Sequence, residues 1–249
     1  MKILVCISNV PDTTTKIKLS GEGTGIDQAG IQWIINPWDE LALTRALELK
    51  EAGGGAITQV DVANVGTNMT EPTLRKALAI GADNAHRIDT EAKDSYYVAL
   101  QLSEVAKAGE YDLVLCGIES SDYNGASVGA MLSEFLGYAS VSSVSGLNIE
   151  GGNLSINREI DGGAEVLSCD LPLILIVQKG IALDPRIPNM RGIMMARKKP
   201  LNVHPPVAGD ALTEYVDYQT PAAKAACKMI DEENAGELIN LLHTEAKVI

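Results

Sequence analysis

Short apolar runs alternate with helix-like segments up to residue 140, and this alternation is the strongest constraint on the fold. The runs lie at 3–7, 56–65, 84–88 and 111–117. N-capping residues, first-turn prolines and terminal glycines predict the helices between them, which begin near Asn36, Thr70, Asp94 and Gly125. Strands and helices at this spacing form right-handed βαβ units. The predicted fold is therefore α/β, with a doubly wound, mostly parallel sheet.

Beyond Ser140 the pattern changes to consecutive strands. They are predicted at 140–149, 153–160, 164–169 and 171–177, with glycine-rich turns after the first two. We expect these strands to form an antiparallel extension along one edge of the parallel sheet.

Two segments do not belong to this pattern. The loop from Ser8 to Gln32 spans about two dozen residues, where a connection usually has about 4 to 6, so we expect a small hairpin between 17–19 and 31–35. From residue 205 the chain is polar and alanine-rich, with a helix near 231–244. We therefore predict an α/β domain at 1–204 and an arm at 205–249 that docks on another chain. A disordered terminus is the alternative.

Composition narrows the class of protein. The 249 residues are 46% hydrophobic and 4% aromatic, which predicts an aliphatic core. There are 20 basic and 33 acidic residues, a net charge of −13, which disfavours nucleic acids and acidic membranes as partners. No run approaches the ~18 apolar residues of a spanning helix. Four widely spaced cysteines and no signal-peptide pattern before the first strand predict a reducing, cytoplasmic location.

Three loops leave the carboxyl ends of predicted strands, where ligands bind in open α/β sheets. They are 8–12, 65–68 and 117–129, and the last has small side chains just before a helix N-terminus. Backbone amides in such a loop bind phosphate, which predicts a nucleotide site. A polar loop with a capping Asn is the alternative. Neither GxGxxG after the first strand nor GxxxxGK[ST] occurs, so a Rossmann dinucleotide site and a P-loop are disfavoured.

Catalytic and metal-binding patterns are weak. The histidines, at 86, 204 and 243, are far apart in sequence and predict solvated or structural roles and no metal site. The acidic residues around Asp161 predict a charged turn. Arginines and lysines concentrate between 158 and 199, and they predict either a docking surface for an acidic partner or ordinary solvated charge.

Several separate motifs resemble the β-subunit of electron transfer flavoproteins over essentially the whole chain. They are Val10-Pro11-Asp12 with Lys16-Ile17, Asn36-Pro37-Trp38-Asp39, ALAIGAD at 77–83, REIDGGAE at 158–165, DPR at 184–186 and RGIM at 191–194. The resemblance implies a fold of the adenine nucleotide α-hydrolase type. It also implies a non-catalytic electron carrier, one half of a heterodimer whose α-subunit holds the redox FAD and is the chain on which the 205–249 arm docks.

The resemblance also implies that this subunit holds a structural AMP. The matching positions are Cys6, Asn36, Pro37, Trp38, Asp39, Val65, Gly117, Ser120, Ser121, Asp122, Asn124, Gly125, Ala126, Ser127 and Val128. They include the 117–129 loop that was selected above on physical grounds.

Two partner surfaces follow from the same resemblance. Glu159 matches a residue that pairs with an α-subunit arginine beside the flavin. The loop 182–197, with Arg186, Met190 and Arg191, matches the segment that grips flavoprotein dehydrogenases, and Met190 stands where the family has an anchoring leucine. The implied electron path runs from acyl-CoA dehydrogenases of fatty acid β-oxidation, through FAD, to a quinone-linked oxidoreductase.

Two other functions remain open at the level of sequence. Some members of the family hold a second FAD in place of AMP and bifurcate electrons from NADH. A stand-alone, stress-type adenine-nucleotide module has the same superfold, but its usual GxxG phosphate pattern is replaced here by GxxxG at Gly125 and Gly129.

Overall fold

The computed structural model describes residues 1–21, 23–150, 153–224 and 226–249. Its strands are β1 (Lys2–Cys6), β2 (Asn9–Pro11), β3 (Trp33–Ile35), β4 (Gln59–Val65), β5 (Ala85–Ile88), β6 (Leu113–Gly117), β7 (Ala139–Glu150), β8 (Asn153–Ile160), β9 (Gly163–Leu167), β10 (Leu173–Val177) and β11 (Leu201–His204). Its α-helices are α1 (Pro37–Ala52), α2 (Glu71–Ile80), α3 (Ser95–Gly109), α4 (Val128–Leu136), α5 (Met190–Ala196) and α6 (Ala235–Leu241).

Nine strands form one sheet, in the order β11-β5-β4-β1-β6-β10-β7-β8-β9. Every neighbouring pair from β11 to β7 is parallel, whereas β7-β8 and β8-β9 are antiparallel. The predicted α/β fold, with a mostly parallel sheet and an antiparallel extension, is therefore confirmed.

Alternate residues of each strand build two cores, one on each face of the sheet. Ile3 and Val5 of β1 pack with apolar residues of α1 and α2, whereas Leu4 and Cys6 pack with those of α3 and α4. Each core is almost entirely aliphatic, as the composition predicted. Because both faces of the parallel strands are covered, these strands read in sequence as continuous apolar runs.

The strand β10 lies between β6 and β7 and is parallel to both, whereas the sequence pattern grouped it with the antiparallel strands. All five of its residues are buried. A strand with no exposed side chain needs helices or core on both faces, and that requirement is met inside the parallel sheet.

The hairpin in the 8–32 segment pairs differently from the prediction. The strand β2 pairs with β3, while the segment 17–19 contributes only an isolated bridge between Leu19 and Ile26. Burial explains the choice, because Val10 is fully buried and Ile17 is 43% exposed. The predicted pairing of 17–19 with 31–35 was therefore wrong.

The arm divides into two parts. Residues 207–218 lie against α3 and the 117–127 loop through hydrogen bonds described below. Residues 219–224 and 226–249 are mostly exposed, and α6, which falls within the helix expected near 231–244, buries none of its side chains. The division at 204/205 and docking on another chain stay predictions.

Candidate functional site

A cavity of about 570 Å³ lies at the carboxyl edge of the sheet, between the ends of β1, β4 and β6. In the sheet, β4 is the neighbour of β1 on one side and β6 is its neighbour on the other. The order of strands reverses at β1, so the cavity lies at the topological switch point. This is where open α/β sheets bind ligands. Cys6 and Cys116, on neighbouring strands, line the cavity. A hydrogen bond with Cys116, together with burial, raises the pKa of the Cys6 thiol well above its usual range.

The first turn of α1 holds the ends of β1 and β6 together. Asn36 sits at the N-cap position, but its side chain does not cap the helix. Its Nδ2 donates to the carbonyl of Glu119 (2.9 Å), and its Oδ1 accepts from the amide of Ser121 (3.1 Å). Asn36 therefore fixes the start of the 117–127 loop from behind, without lining the cavity itself.

Asp39 makes the corresponding connection on the cavity wall. Its carboxylate accepts from the amides of Ser8 (2.8 Å) and Gly117 (3.0 Å). Burial raises the pKa of Asp39 to about 7, although these two amide donors favour the charged form. A buried carboxyl group at this position couples the geometry of two strand ends to its own protonation state.

The loop between β6 and α4 forms a concave backbone surface. Asn124 and Ala126 adopt left-handed conformations, with φ of 51° and 48°, and the Ser127 hydroxyl donates to the carbonyl of Gly125 (2.6 Å). Within the described residues, the amides of 125–128 donate no hydrogen bond to a protein group. These amides precede the positive end of the α4 dipole, an arrangement that binds phosphate groups.

Gly129 packs the start of α4 tightly onto the sheet. A Cβ at this position would lie 2.6 Å from Cγ1 of Ile176 and 3.4 Å from Cβ of Cys116. Glycine therefore allows the amide-lined loop to approach the strand ends closely.

The third wall comes from the end of β4. Asn64 is buried, and its Nδ2 donates to the carbonyl of Ile7 (2.8 Å). Among the described residues, its Oδ1 has no hydrogen-bond partner. A buried acceptor without a partner is costly, and on a cavity wall it is available to a ligand donor. Arg87 supports this wall from behind by donating to the carbonyl of Gly66 (3.0 Å).

The structure brings together most of the predicted nucleotide-site residues. Ten of the fifteen line the cavity: Cys6, Asp39, Val65, Gly117, Ser120, Asp122, Gly125, Ala126, Ser127 and Val128. The other five, which lie outside the lining, are Asn36, Pro37, Trp38, Ser121 and Asn124. Of these, Asn36 and Ser121 hold the loop by the hydrogen bond described above, so they position the site.

Sequence reasoning missed part of the wall. Asn64 carried a usable signal, since it is a polar residue between apolar neighbours near the carboxyl end of β4. The segment that leads into α3 also lines the cavity, through residues such as Lys93 and Ser95. Tyr215 reaches the cavity from the arm, and nothing in its local sequence indicates this.

Two histidines that are far apart in sequence meet in space. Nδ1 of His86 lies 3.0 Å from Nε2 of His204, and Nε2 of His86 lies 3.5 Å from a carboxylate oxygen of Asp61. Tyr111 donates to the same Asp61 oxygen (2.7 Å). The spacing of the histidines in the sequence gave no indication of this contact, because β4, β5 and β11 are neighbours only in the sheet.

The contacts of this histidine cluster connect β4, β5 and β11. Burial opposes ionisation of Asp61, but donors including His86 and Tyr111 lower its pKa overall. Among the described residues, no group of three or more His, Cys, Asp or Glu side chains is arranged to hold a metal ion. The cluster ties β11 to the sheet beside the point where the arm begins.

The predicted partner residues lie on two separate surfaces. Glu159 is exposed on β8, near one edge of the sheet, and accepts from Nε2 of Gln178 (2.5 Å). Met190, at the start of α5, is 75% exposed, and α5 packs against α2 rather than against β8. Arg191 is exposed beside Met190.

Two of the basic residues between 158 and 199 make contacts within the chain, and the docking surface stays a prediction. Nζ of Lys199 donates to the carbonyls of Leu78 (3.1 Å), Gly81 (3.2 Å) and Ala82 (2.5 Å), and so stabilises the C-terminus of α2. Arg186 forms an ion pair with Glu51 (2.8 Å). Lys199 is therefore an internal structural residue.

Comparisons with known proteins identify the family to which this chain is similar. A family model for the electron transfer flavoprotein domain matches residues 24–208. The chain is 35% identical to the electron transfer flavoprotein subunit beta of Bacillus subtilis, with 100% of both chains covered. It is 34% identical to the subunit of that name from Syntrophomonas wolfei, over 94% of this chain and 91% of the relative. The mitochondrial subunit beta of Oryza sativa subsp. indica is 31% identical, with 100% of both chains covered.

No helix in the described parts of the chain combines the length and the apolar character needed to cross a bilayer.

Proposed function

Because this chain belongs to the β-subunits of the electron transfer flavoprotein family, we propose that it is the non-catalytic half of a heterodimeric electron carrier. Its partner is an α-subunit that holds most of the FAD of the complex. When bound, FAD supplies the redox chemistry, and the protein supplies orientation and electrostatics. The chain itself contributes a nucleotide site and two docking surfaces.

The observation that carries the nucleotide part of the proposal is the amide-lined cavity at the switch point. We propose that it holds AMP as a structural ligand. The amides of 125–128 would hold the phosphate, with Lys93 as a basic residue of the wall. The unpartnered Oδ1 of Asn64 offers an acceptor to a donor group of the nucleotide.

AMP in this cavity would stabilise the fold, without a redox role. Asp39 and Asn36 connect α1 to the ends of β1 and β6, so a ligand that contacts this wall joins elements on both sides of the switch point. A ligand that binds only the folded state stabilises it according to its concentration and affinity.

The nucleotide content of the complex tests this part. The chain should be co-expressed and purified with its α-subunit, denatured, and the released nucleotides separated by chromatography. One FAD and one AMP per heterodimer are expected. Two FAD and no AMP would replace the proposal by a bifurcating function. The chain expressed alone should be colourless, because the redox flavin belongs to the α-subunit.

The hairpin of β8 and β9 is proposed as a contact with the α-subunit near its flavin. Glu159 is exposed there, and its hydrogen bond with Gln178 holds the carboxylate at the surface. An exposed, oriented carboxylate suits an arginine of the partner.

The 182–197 segment is proposed as the surface for flavoprotein dehydrogenases, including acyl-CoA dehydrogenases. Its apolar side chains are unusually exposed: Leu183 is 96%, Ile187 86% and Met190 75% accessible. Exposed apolar side chains that lie close together in the chain mark interaction sites, and methionine adapts to differently shaped pockets. From the dehydrogenase, electrons would pass through the complex to a quinone-linked oxidoreductase.

Met190→Ala tests the dehydrogenase surface. We expect kcat/KM for reduction of the complex by the dehydrogenase to fall about tenfold, as for loss of a well-packed anchor residue. FAD and AMP contents should not change. Val203→Ala is the control, because Val203 is 51% exposed and lies outside both this segment and the arm. Equal kinetics for the two variants, with intact heterodimers, would reject the anchor role of Met190.

A further inference from the structure

Residues 207–218, here called the strap, run over the cavity side of the domain without forming a helix or strand. Gln101 of α3 holds the first residue of the strap at two points. Its Nε2 donates to the carbonyl of Val207 (2.9 Å), and its Oε1 accepts from the Val207 amide (2.8 Å). Gly209 then passes so close to Leu100 that a Cβ would overlap its side chain.

Asp94 anchors the middle of the strap. One carboxylate oxygen caps α3 by accepting from the Tyr97 amide (2.8 Å). The other accepts from the amides of Leu212 (2.7 Å) and Thr213 (2.8 Å) and from the Thr213 hydroxyl (3.1 Å). Asp94 is buried and also lines the cavity. The same side chain therefore connects the strap to the cavity wall.

The far end of the strap reaches the loop on the opposite wall. The ring of Tyr215 lies 4.7 Å from the ring of Tyr123, centroid to centroid, at an interplanar angle of 34°. The hydroxyl of Tyr218 lies 3.2 Å from that of Tyr123, and the Tyr218 amide donates to the carbonyl of Gly23 (3.1 Å). The strap thus crosses from α3 to the 117–127 loop and the 12–32 segment.

Tyr123 and Tyr215 both line the cavity, and both remain about half exposed, at 47% and 53%. Core packing does not account for aromatic side chains with this much free surface. Two rings at the edge of a cavity, next to unbonded amides, provide the flat apolar surface that ligand sites use together with a few polar groups.

We propose that the strap supplies Tyr215 to the nucleotide site, and that Tyr215 and Tyr123 cover the bound nucleotide and slow its release. The identity of the ligand rests on the function proposed above, whereas closure of the cavity does not. Side-chain anchors, rather than a β-ladder, hold the strap, so it can detach while the sheet stays intact.

Two variants weaken closure in different ways. Tyr215→Ala removes the covering ring. Asp94→Asn keeps a residue that caps α3 well, but it replaces the second carboxylate oxygen by an NH₂ group. The amides of Leu212 and Thr213 then lose the oxygen that accepts their hydrogen bonds. Val216→Ala is the matched control, because Val216 is the next residue of the strap and is 75% exposed.

Two readouts separate closure from ligand identity. In the purified heterodimer, exchange of bound AMP for isotope-labelled AMP gives the release rate. In nucleotide-stripped heterodimer, a neutral thiol reagent reports access to Cys6 and Cys116, which line the cavity and are 6% and 3% exposed. Mass spectrometry of peptides distinguishes label on these two thiols from label on the partly exposed Cys169 and the exposed Cys227.

We expect Tyr215→Ala to release AMP about tenfold faster and to label both thiols faster, with Asp94→Asn changing both rates in the same direction. Val216→Ala should match the wild type. Unchanged rates in both Tyr215→Ala and Asp94→Asn would overturn the proposal. If the heterodimer is purified without AMP and the thiols of the two variants still label faster than those of the wild type, the role of the strap is supported and the AMP assignment is refuted. Bound AMP released from both variants at the wild-type rate would refute the strap alone.

Discussion

Gly117 is the position where one added methyl group should damage the cavity most directly. A Cβ there would overlap a carboxylate oxygen of Asp39 and would lie 2.8 Å from Cβ of Trp38 and 3.2 Å from Nδ2 of Asn36. All three neighbours belong to the start of α1, which is fixed to the sheet. Gly117→Ala keeps the amide that donates to Asp39, so the methyl group is the only new element.

The expected cost follows from what Asp39 must give up. Moving its carboxylate weakens hydrogen bonds to the amides of Ser8 and Gly117, each with a net contribution of about 1 kcal/mol, or about 1.5–3 kcal/mol when the carboxyl is charged. Overpacking of a close contact typically costs about 1–3 kcal/mol. We therefore expect Gly117→Ala to lower the free energy of unfolding by about 2–4 kcal/mol and to weaken AMP binding.

Urea unfolding of the full chain, followed by the fluorescence of Trp33 and Trp38, measures this change. Gly163→Ala is the control, because a Cβ at Gly163 meets no atom within 4 Å and the residue does not have a left-handed φ. Its effect should stay within about 0.5 kcal/mol. If the two variants unfold at the same urea concentration, the argument from crowding at Asp39 is wrong.

Two further predictions concern the edges of the fold. Burial and the nearby His86 lower the pKa of His204 in the folded chain. As pH falls below about 6.5, His204 of the unfolded chain therefore binds a proton before His204 of the folded chain does, and the folded state loses stability. Asp39, with its pKa raised to about 7, has the opposite effect, because it stabilises the folded state as pH falls from about 7 to about 4. The effect of His204 is therefore isolated by measuring urea midpoints at pH 7.5 and 5.5 for both the wild type and His204→Asn. The wild type should lose more stability, or gain less, than the variant, and identical differences would contradict this. Lys199→Met should cost about 1–2 kcal/mol, because three helix-end carbonyls lose their shared donor. The exposed Lys198→Met should be neutral in the same urea titration, and equal losses would exclude the capping role of Lys199.

Sequence alone predicted the features that depend on local pattern. Apolar runs such as 3–7 identified buried parallel strands, and small residues before a helix identified the 117–129 loop, which lines the cavity. The residue type at Asn36 correctly predicted the start of α1, but it did not predict what the side chain binds. Asn36 is outside the cavity lining and holds Glu119 and Ser121, which are more than 80 positions away in the sequence.

The remaining features depend on which elements the sheet makes neighbours. The position of β10 between β6 and β7, the meeting of His86 with His204, and the reach of Tyr215 to Tyr123 all join segments that are distant in the chain. Sequence periodicity reports which face of an element is buried, because that depends on residues a few positions apart. It does not report what covers that face. The sequence by itself therefore determined the fold class and the 117–129 loop of the cavity wall, whereas only the tertiary structure decided which distant segment, that of Tyr215, reaches this cavity.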